Sequence, residues 1–418
     1  MTGRYGLLGE RLSHSFSPFI HRELGGYEYN LYEISPDELS DFLRYDGFDG
    51  LNVTIPYKKA VIPYCESLSE TARVTGSVNT VTRLPDGSLY GDNTDVFGFG
   101  YLLEKAGVNP EDGKAIVLGG GGSSLTVQAV LRDRRAKEVA VISRHGDNNY
   151  ENIAKHRDAA VIINTTPVGM YPNNGFSPIA DLGIFKNCRA VIDLIYNPAR
   201  TELLLQAEEI GISAMNNRAI NGLIMLVAQA KKSAEAFMDT SIPDGRIEEI
   251  ADKITRMTQN IILIGMPGSG KTSIGSILAK KLGREFADTD ELIIGSAKKS
   301  IPDIFADDGE EKFRTWETGI LEAVCKRSGL VIATGGGAVT RPENLRLLRQ
   351  NGIIIFLDRD ISKLPVSDRP LSQRNGIHAL AESRMPLYKQ WSDYIITVRG
   401  VERTAAEIYD KLFGGTLP

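Results

Sequence analysis

Ile261-Ile262-Leu263-Ile264 runs directly into Gly265-Met266-Pro267-Gly268-Ser269-Gly270-Lys271-Thr272, and a helical pattern follows over Ile274–Leu282. A β-branched run, a GxxxxGK[ST] loop and a helix, in that order, leave few folds open. The loop works only where a strand of a sheet hands over to a helix amino terminus. Its glycines let successive backbone N–H groups converge on phosphate oxygens. Gly265, Gly268, Ser269, Gly270 and Ser273 would frame that cradle, with Lys271 reaching the β and γ phosphates and the Thr272 hydroxyl ligating Mg²⁺.

The same alternation of short apolar runs with helical patterns extends along nearly all 418 residues. Candidate strands are Tyr5–Leu8, Leu51–Thr54, Ala115–Leu118, Val139–Ser143, Val161–Asn164 and Val191–Leu194, then Ile261–Ile264, Leu330–Ala333 and Ile353–Leu357. This reads as an α/β protein with parallel sheets covered by helices, and at roughly 150 residues per domain the length holds two or three domains. The seam is Asp239–Gln259: Ser241-Ile242-Pro243-Asp244-Gly245 is a loop signal, and Arg246–Met257 carries Ile247, Ile250, Ile254 and Met257 at helical spacing. That stripe is expected to dock on a neighbour, with the main boundary near residue 245.

Composition narrows the partners. Hydrophobic residues are 42% and charged residues 24%, ordinary for a folded soluble chain, and a net charge of −5 gives no reason to expect nucleic acid or an anionic membrane. Cys65, Cys188 and Cys325 lie far apart, which excludes a disulfide scaffold and a thiolate zinc site and suits a reducing compartment. The amino terminus MTGRYGLLGERLSHS has no apolar signal region, and the longest apolar stretches, such as Gly222–Ala230, fall far short of the about eighteen residues a membrane span needs. A cytoplasmic protein with small-molecule substrates is expected. The five histidines (His14, His21, His145, His156, His378) show no metal spacing.

After the phosphate loop, Phe286-Ala287-Asp288-Thr289-Asp290 sets two carboxylates at i and i+2 in an apparently extended segment, hence on one face. That pair suits metal-bound water and substrate hydroxyls. Gly335-Gly336-Gly337 again permits close backbone approach. Taken singly, such a glycine run is equally a loop, the acids a solvated pair, and each arginine nearby a surface ion pair. As a set, GxxGSGKT, FxDTD, Asp308–Glu317 (DGEEKFRTWE), Gly335–Val339 (GGGAV), Asp368–Leu371 (DRPL) and Ser383–Tyr388 (SRMPLY) make Asn260–Pro418 resemble the shikimate kinase family. The resemblance implies that Asp290, Arg314, Arg384, Gly336 and Gly337 hold the shikimate carboxylate and hydroxyls. It also implies that Asp290 orients or deprotonates the attacking hydroxyl, that Asp288 meets Mg²⁺ through water, and that Arg369 in a lid stabilises the phosphoryl group transferred from ATP. Only ten residues, Arg359–Asp368 with Pro365 among them, separate Leu357-Asp358 from Arg369-Pro370, a shorter lid than the family's, which carries an additional arginine.

Towards the amino terminus, Ser13-His14-Ser15-Phe16-Ser17-Pro18 offers Ser17 as an N-cap with proline at the first helical position. Asn52 and Thr54 share a strand face, and Lys58 is expected at the start of the next helix. Gly76-Ser77-Val78-Asn79-Thr80 and Gly91-Asp92-Asn93-Thr94-Asp95 add polar clusters. A lysine beside a carboxylate can serve proton transfer near neutrality, but nothing in spacing alone brings Lys58 to Asp95. Ile116-Val117-Leu118 enters Gly119-Gly120-Gly121-Gly122-Ser123-Ser124, a variant of the dinucleotide fingerprint, and the next strand ends at Ser143-Arg144, where an arginine favours a 2′-phosphate over a free ribose.

SHSxSP, NVTIPYK, SVNT, GDNTD, GGGGSS, Asn164–Met170 (NTTPVGM), Asp193–Leu204 (DLIYNPARTELL) and Asn221–Ala230 (NGLIMLVAQA) together make residues 1 to about 240 resemble the shikimate dehydrogenase family. By that resemblance Lys58 and Asp95 are the catalytic pair. Ser15, Ser17, Asn52, Thr54, Asn79, Tyr196 and Gln229 contact 3-dehydroshikimate or shikimate, and Gly119, Gly121, Gly122, Ser143, Arg144, Asn164 and Thr165 line NADP(H). Leu125 and Thr126 stand where the family has an arginine after its glycine turn, and the stretch between Arg144 and Asn164 is short, as if a helix and a strand were trimmed.

The expected architecture is therefore a substrate-binding α/β domain (1–100, with return helices at about 218–238), a Rossmann-like NADP domain (101–240), a partly helical linker (241–259) and a P-loop kinase domain (260–418). The expected function is consecutive reduction and phosphorylation of one small molecule, with NADP(H), ATP and Mg²⁺. Two alternatives stay open: an NAD-dependent quinate/shikimate dehydrogenase, and a second half that binds nucleotide for regulation or is a weak kinase.

Overall fold

The nine apolar runs pair into sheets, each strand within one residue of its expected ends. The computed structural model describes residues 3–12, 15–45, 47–212, 218–364 and 376–414. Ser13, His14 and the segment 365–375, with Pro365 and Arg369, lie outside the described residues. Two compact units result, Met1–Tyr196 with Gln206–Ile254, and Asn197–Leu205 with Thr255–Pro418.

The first unit contains two sheets. Strands β1 (Tyr5–Gly9), β2 (Tyr29–Glu33), β3 (Gly50–Val53), β4 (Ser67–Leu68), β5 (Thr80–Arg83) and β6 (Leu89–Asp92) form a mixed sheet in the order β2-β1-β3-β5-β6-β4. Only β5 runs against its neighbours. Helix Leu223–Met238 returns to this sheet and packs against helices Ser17–Gly25 and Asp95–Lys105. Its end is pinned where the Phe237 ring stacks on Tyr5 at 5.1 Å and the Tyr5 hydroxyl donates to the Phe237 carbonyl. That return is what carries Gln229 to the sheet's polar end.

Strands β7 (Lys114–Leu118), β8 (Glu138–Ile142), β9 (Val161–Asn164), β10 (Ala190–Asp193) and β11 (Ala219–Asn221) form an all-parallel sheet ordered β11-β10-β9-β7-β8. The order reverses between β7 and β9, the crevice where open α/β sheets bind ligands. Between β8 and β9 the only regular element is the single turn Ile153–His156. The order is that of a doubly wound sheet lacking the strand and helix that would extend it beyond β8.

In the second unit, β12 (Asn260–Ile264), β13 (Phe286–Asp288), β14 (Val331–Ala333), β15 (Gly352–Asp358) and β16 (Tyr394–Thr397) lie parallel in the order β13-β14-β12-β15-β16. Both faces are covered: Ile262, Ile264, Ile354 and Phe356 enter one core, Ile261, Leu263, Ile355 and Leu357 the other. This is why β12 and β15 read as unbroken apolar runs rather than alternating ones.

Helix Gly245–Thr258 buries Ile247, Ile250 and Ile254 among Ile20, Leu223 and Val227. The fourth residue of the expected stripe, Met257, is instead 52% exposed, since the apolar cover ends with the turn that holds Ile254.

Three local expectations are corrected. Helix Ser17–Gly25 begins at Ser17 itself, with Phe16 as the capping position and no side-chain cap, so Ser17 is not an N-cap. Lys58 lies in a run of turns after β3 instead of opening a helix. Asp288 and Asp290 do not alternate along one strand: β13 stops at Asp288, whose carboxylate caps helix Thr289–Ala297 by accepting from the Asp290 N–H at 3.0 Å. A carboxylate with a free N–H two residues on favours that helical start over continued extension.

Candidate active sites

The polar ends of β3, β5 and β6 gather the first site. Lys58 Nζ meets Asp95 Oδ2 at 2.6 Å, with the two side chains 27% and 14% exposed. Asp95 opens helix Asp95–Lys105, and its N–H is held by Asn93 Oδ1. The pair that spacing left apart is thus brought together by two connections, the turns after β3 and the β6–helix junction.

A buried hydrogen-bonded network backs this pair. Asn79 accepts from the Thr94 N–H (2.7 Å) and from the Thr80 and Thr94 hydroxyls, while its amide donates to Gln229 Oε1 at 3.4 Å. Asn52 donates to Thr80 Oγ1 and accepts from the hydroxyls of Tyr29 (2.7 Å) and Ser233 (3.4 Å). Ser17 is buried beside Tyr29, and its N–H bonds to Ser15 Oγ. Tyr196 packs on Phe16 with ring centroids 6.0 Å apart, and burial raises its hydroxyl pKa. Thr54 follows β3 directly, its N–H bound to the Leu8 carbonyl. His21, stacked on Tyr29 at 4.0 Å, is held neutral by burial, which depresses its pKa to about 3. Tyr29 and Ser233 escaped sequence reasoning. Their polar atoms meet only after distant segments pack, and no local pattern marks them.

At the switch point of the parallel sheet, Gly119 takes φ +104°, and a Cβ there would come within 2.9 Å of Thr165 Oγ1 and Thr166 Cγ2. Gly121 is the capping position of helix Gly122–Asp133, whose first N–H groups face this end of β7. Ser143 and Arg144 leave β8 beside it, Arg144 exposed. The Thr165 hydroxyl donates to the Leu118 carbonyl at 2.6 Å. Asn164 differs from expectation: it is fully buried, donating to Asp193 Oδ1 and accepting from the Thr166 N–H and hydroxyl. Its buried side chain, bonded to Asp193 and Thr166, shapes the turn after β9.

In the second unit a cleft of about 470 Å³ joins the Gly265–Gly270 loop to the ends of β13 and β14. Lys271 rests on the carbonyls of Gly265 and Met266, and Thr272 Oγ1 donates to Asp288 Oδ2 at 2.7 Å. Ser269 is buried in the loop, with Gly268, Gly270 and Ser273 lining the cleft. Asp290 has its pKa raised to about 6, first by burial and then by the charge of Asp288, with Lys271 opposing. Arg314 lies over Gly337 so closely that a Cβ there would run into its guanidinium. Arg384 Nη1 and the Tyr388 hydroxyl both donate to the Gly336 carbonyl.

Sequence reasoning missed Glu317, Tyr388 and Arg359. Glu317 is fully buried, and its Oε2 accepts from Arg314 at 2.7 Å. The signal was available, since Glu317 is three residues after Arg314 and Tyr388 four after Arg384, each pair on one helix face. Two arginines, two carboxylates and open glycine backbone beside a phosphate loop can hold a carboxylated polyol and place a hydroxyl towards the transferred group.

A family model for shikimate kinase matches residues 267–413, and one for the shikimate dehydrogenase substrate binding domain matches residues 7–81. The shikimate dehydrogenase (NADP(+)) of Clostridium perfringens (strain 13 / Type A) is 34% identical over 272 residues, covering 60% of this chain and 97% of that protein. A solved chorismate mutase/shikimate 5-dehydrogenase fusion protein from Clostridium acetobutylicum aligns with a TM-score of 0.56 at 36% identity, over 61% of this chain and 97% of that one. Shikimate 5-dehydrogenase from Thermus thermophilus, in complex with NADP(H) and shikimate, aligns with a TM-score of 0.53 at 28% identity, over 60% and 99%.

Proposed function

From the premise that the chain belongs to the shikimate dehydrogenase family and carries a shikimate kinase domain in the same polypeptide, we propose that it reduces 3-dehydroshikimate to shikimate with NADPH and then phosphorylates the shikimate 3-hydroxyl with ATP and Mg²⁺. The observation that carries this reading is the pairing of two sites in one chain, a Lys58–Asp95 couple at 2.6 Å and a carboxylate clamp beside a phosphate loop. The product of the first carries the group the second accepts.

In the first site NADPH, when bound, supplies the hydride. Lys58 delivers a proton to the carbonyl oxygen as it becomes hydroxyl, and Asp95, 2.6 Å from the ammonium, keeps it aimed. Asn52, Asn79 and Gln229, tied to Thr80 and Thr94, hold the ring hydroxyls in register. The cradle at Gly119, which a Cβ would fill, and the helix start at Gly122 suit a pyrophosphate. Exposed Arg144 at the end of β8 suits the 2′-phosphate. Arg144→Ser is expected to raise the KM for NADPH about tenfold or more, the scale of one charged hydrogen bond, and to leave NADH kinetics nearly unchanged. Initial rates with both cofactors check this; equal loss with both would favour the NAD-dependent alternative.

In the second site Arg314 and Arg384 grip the shikimate carboxylate, Asp290 takes the proton of the attacking hydroxyl, and Lys271 neutralises the phosphates. Thr272 and Asp288, already 2.7 Å apart, would hold Mg²⁺ directly and through water. ADP formation from added shikimate and Mg-ATP tests this half independently of the first.

A further inference from the structure

We infer that Arg359 is a nucleotide-contacting residue of the kinase site, its guanidinium meeting the phosphate tail of ATP across Gly268. This rests on the kinase reading of the second unit, and three observations carry it.

The first is placement. Arg359 follows the last residue of β15, the strand beside β12 on the side away from β14 and β13. Asp290 follows β13 and the Gly335–Gly337 run follows β14. The acceptor side of the cleft therefore belongs to one flank of the phosphate loop, and Arg359 to the other. In a transfer with donor and acceptor roughly in line, the flank opposite the acceptor is where the nucleotide extends.

The second is its contact with the loop. Arg359 Nη1 donates to the Gly268 carbonyl at 3.1 Å, and the residue lines the same cleft as Lys271 and Thr272. One of five N–H donors is used in that bond, so the fork still has donors to offer an anion.

The third is its charge environment. Arg314, across the cleft, is matched by Glu310 and Glu317. Among the described residues no carboxylate forms an ion pair with Arg359. Neighbouring Asp360 is turned to the Ser362 N–H and hydroxyl at 3.0 and 2.8 Å. A cation in a phosphate-binding cleft with no acidic partner among the described residues is a complement to the polyphosphate.

A purely mechanical role, bracing the loop through Gly268, would need the hydrogen bond but not the charge. Arg359→Lys and Arg359→Gln separate the two. In the full-length protein, titration with Mg-ATP is expected to give a dissociation constant raised about tenfold or more by Arg359→Gln and recovered to within about threefold by Arg359→Lys. Shikimate affinity should stay within twofold, and NADPH-dependent reduction in the first unit should be unchanged. Unaltered ATP affinity in Arg359→Gln, or equal loss in both variants, would overturn the assignment. If the wild-type protein binds ATP but fails to phosphorylate shikimate, the kinase reading falls while the ATP titration still decides Arg359.

Discussion

Asp290→Asn is expected to remove phosphoryl transfer to shikimate while making the second unit more stable. Burial and the neighbouring Asp288 charge raise the Asp290 pKa from 3.8 to about 6. At pH 7 the group is still mostly ionised, so it can accept the proton of an attacking hydroxyl, and its pKa is near enough to neutrality for efficient transfer. Losing such a base costs about 10²–10⁴ in rate. The stability effect has the opposite sign. A carboxyl whose pKa is higher folded than unfolded binds more protons in the native state between about pH 4 and 6, so stability falls as pH rises through that window and the full penalty remains above it. At 1.36 kcal/mol per pKa unit the penalty is on the order of 3 kcal/mol. Asparagine carries no such charge. Thermal unfolding at pH 7 should therefore show the variant's second transition raised, with the gain shrinking as pH is lowered towards 5. The wild-type kinase rate should fall on an acid limb near pH 6. A variant that keeps its rate, or is destabilised at pH 7, would remove Asp290 from the base role.

Lys58→Ala is expected to lower 3-dehydroshikimate reduction by about 10²–10⁴, the range for a lost general acid, and Asp95→Asn to lower it by a comparable factor. The two act as one unit across 2.6 Å. Residues acting as a unit lose far less in combination than the product of their single effects, so the double variant should be scarcely slower than Lys58→Ala alone. NADPH oxidation measures all three variants. ADP formation from added shikimate in the same samples is the internal control, since neither residue belongs to the kinase unit. Multiplicative losses would mean that Lys58 and Asp95 serve separate steps.

What could be read in advance divides along a physical line. Buried parallel strands such as Ile261–Ile264 are unbroken apolar runs because both faces are covered, so β12 and its loop were legible from composition and spacing alone. The short link between Arg144 and Asn164 likewise announced the missing strand beyond β8. Features decided by competition among backbone groups were not. Asp288 chose to cap a helix, Ser17 became the first helical residue, and Lys58 settled in turns. Nor were features that exist only after distant packing, such as the Tyr29 and Ser233 hydroxyls on Asn52 or Arg359 over Gly268. Asn164 shows the same limit from the other direction: a residue assigned to the cofactor spends its amide on Asp193 and Thr166.

The most direct measurement is a single reaction containing the purified chain, 3-dehydroshikimate, NADPH and Mg-ATP, followed for both NADPH loss and ADP formation. Consecutive action predicts that both signals appear, that ADP forms only after NADPH begins to fall, and that omitting NADPH abolishes ADP unless shikimate is supplied. NADPH loss with no ADP formation, even after shikimate is added, would contradict it.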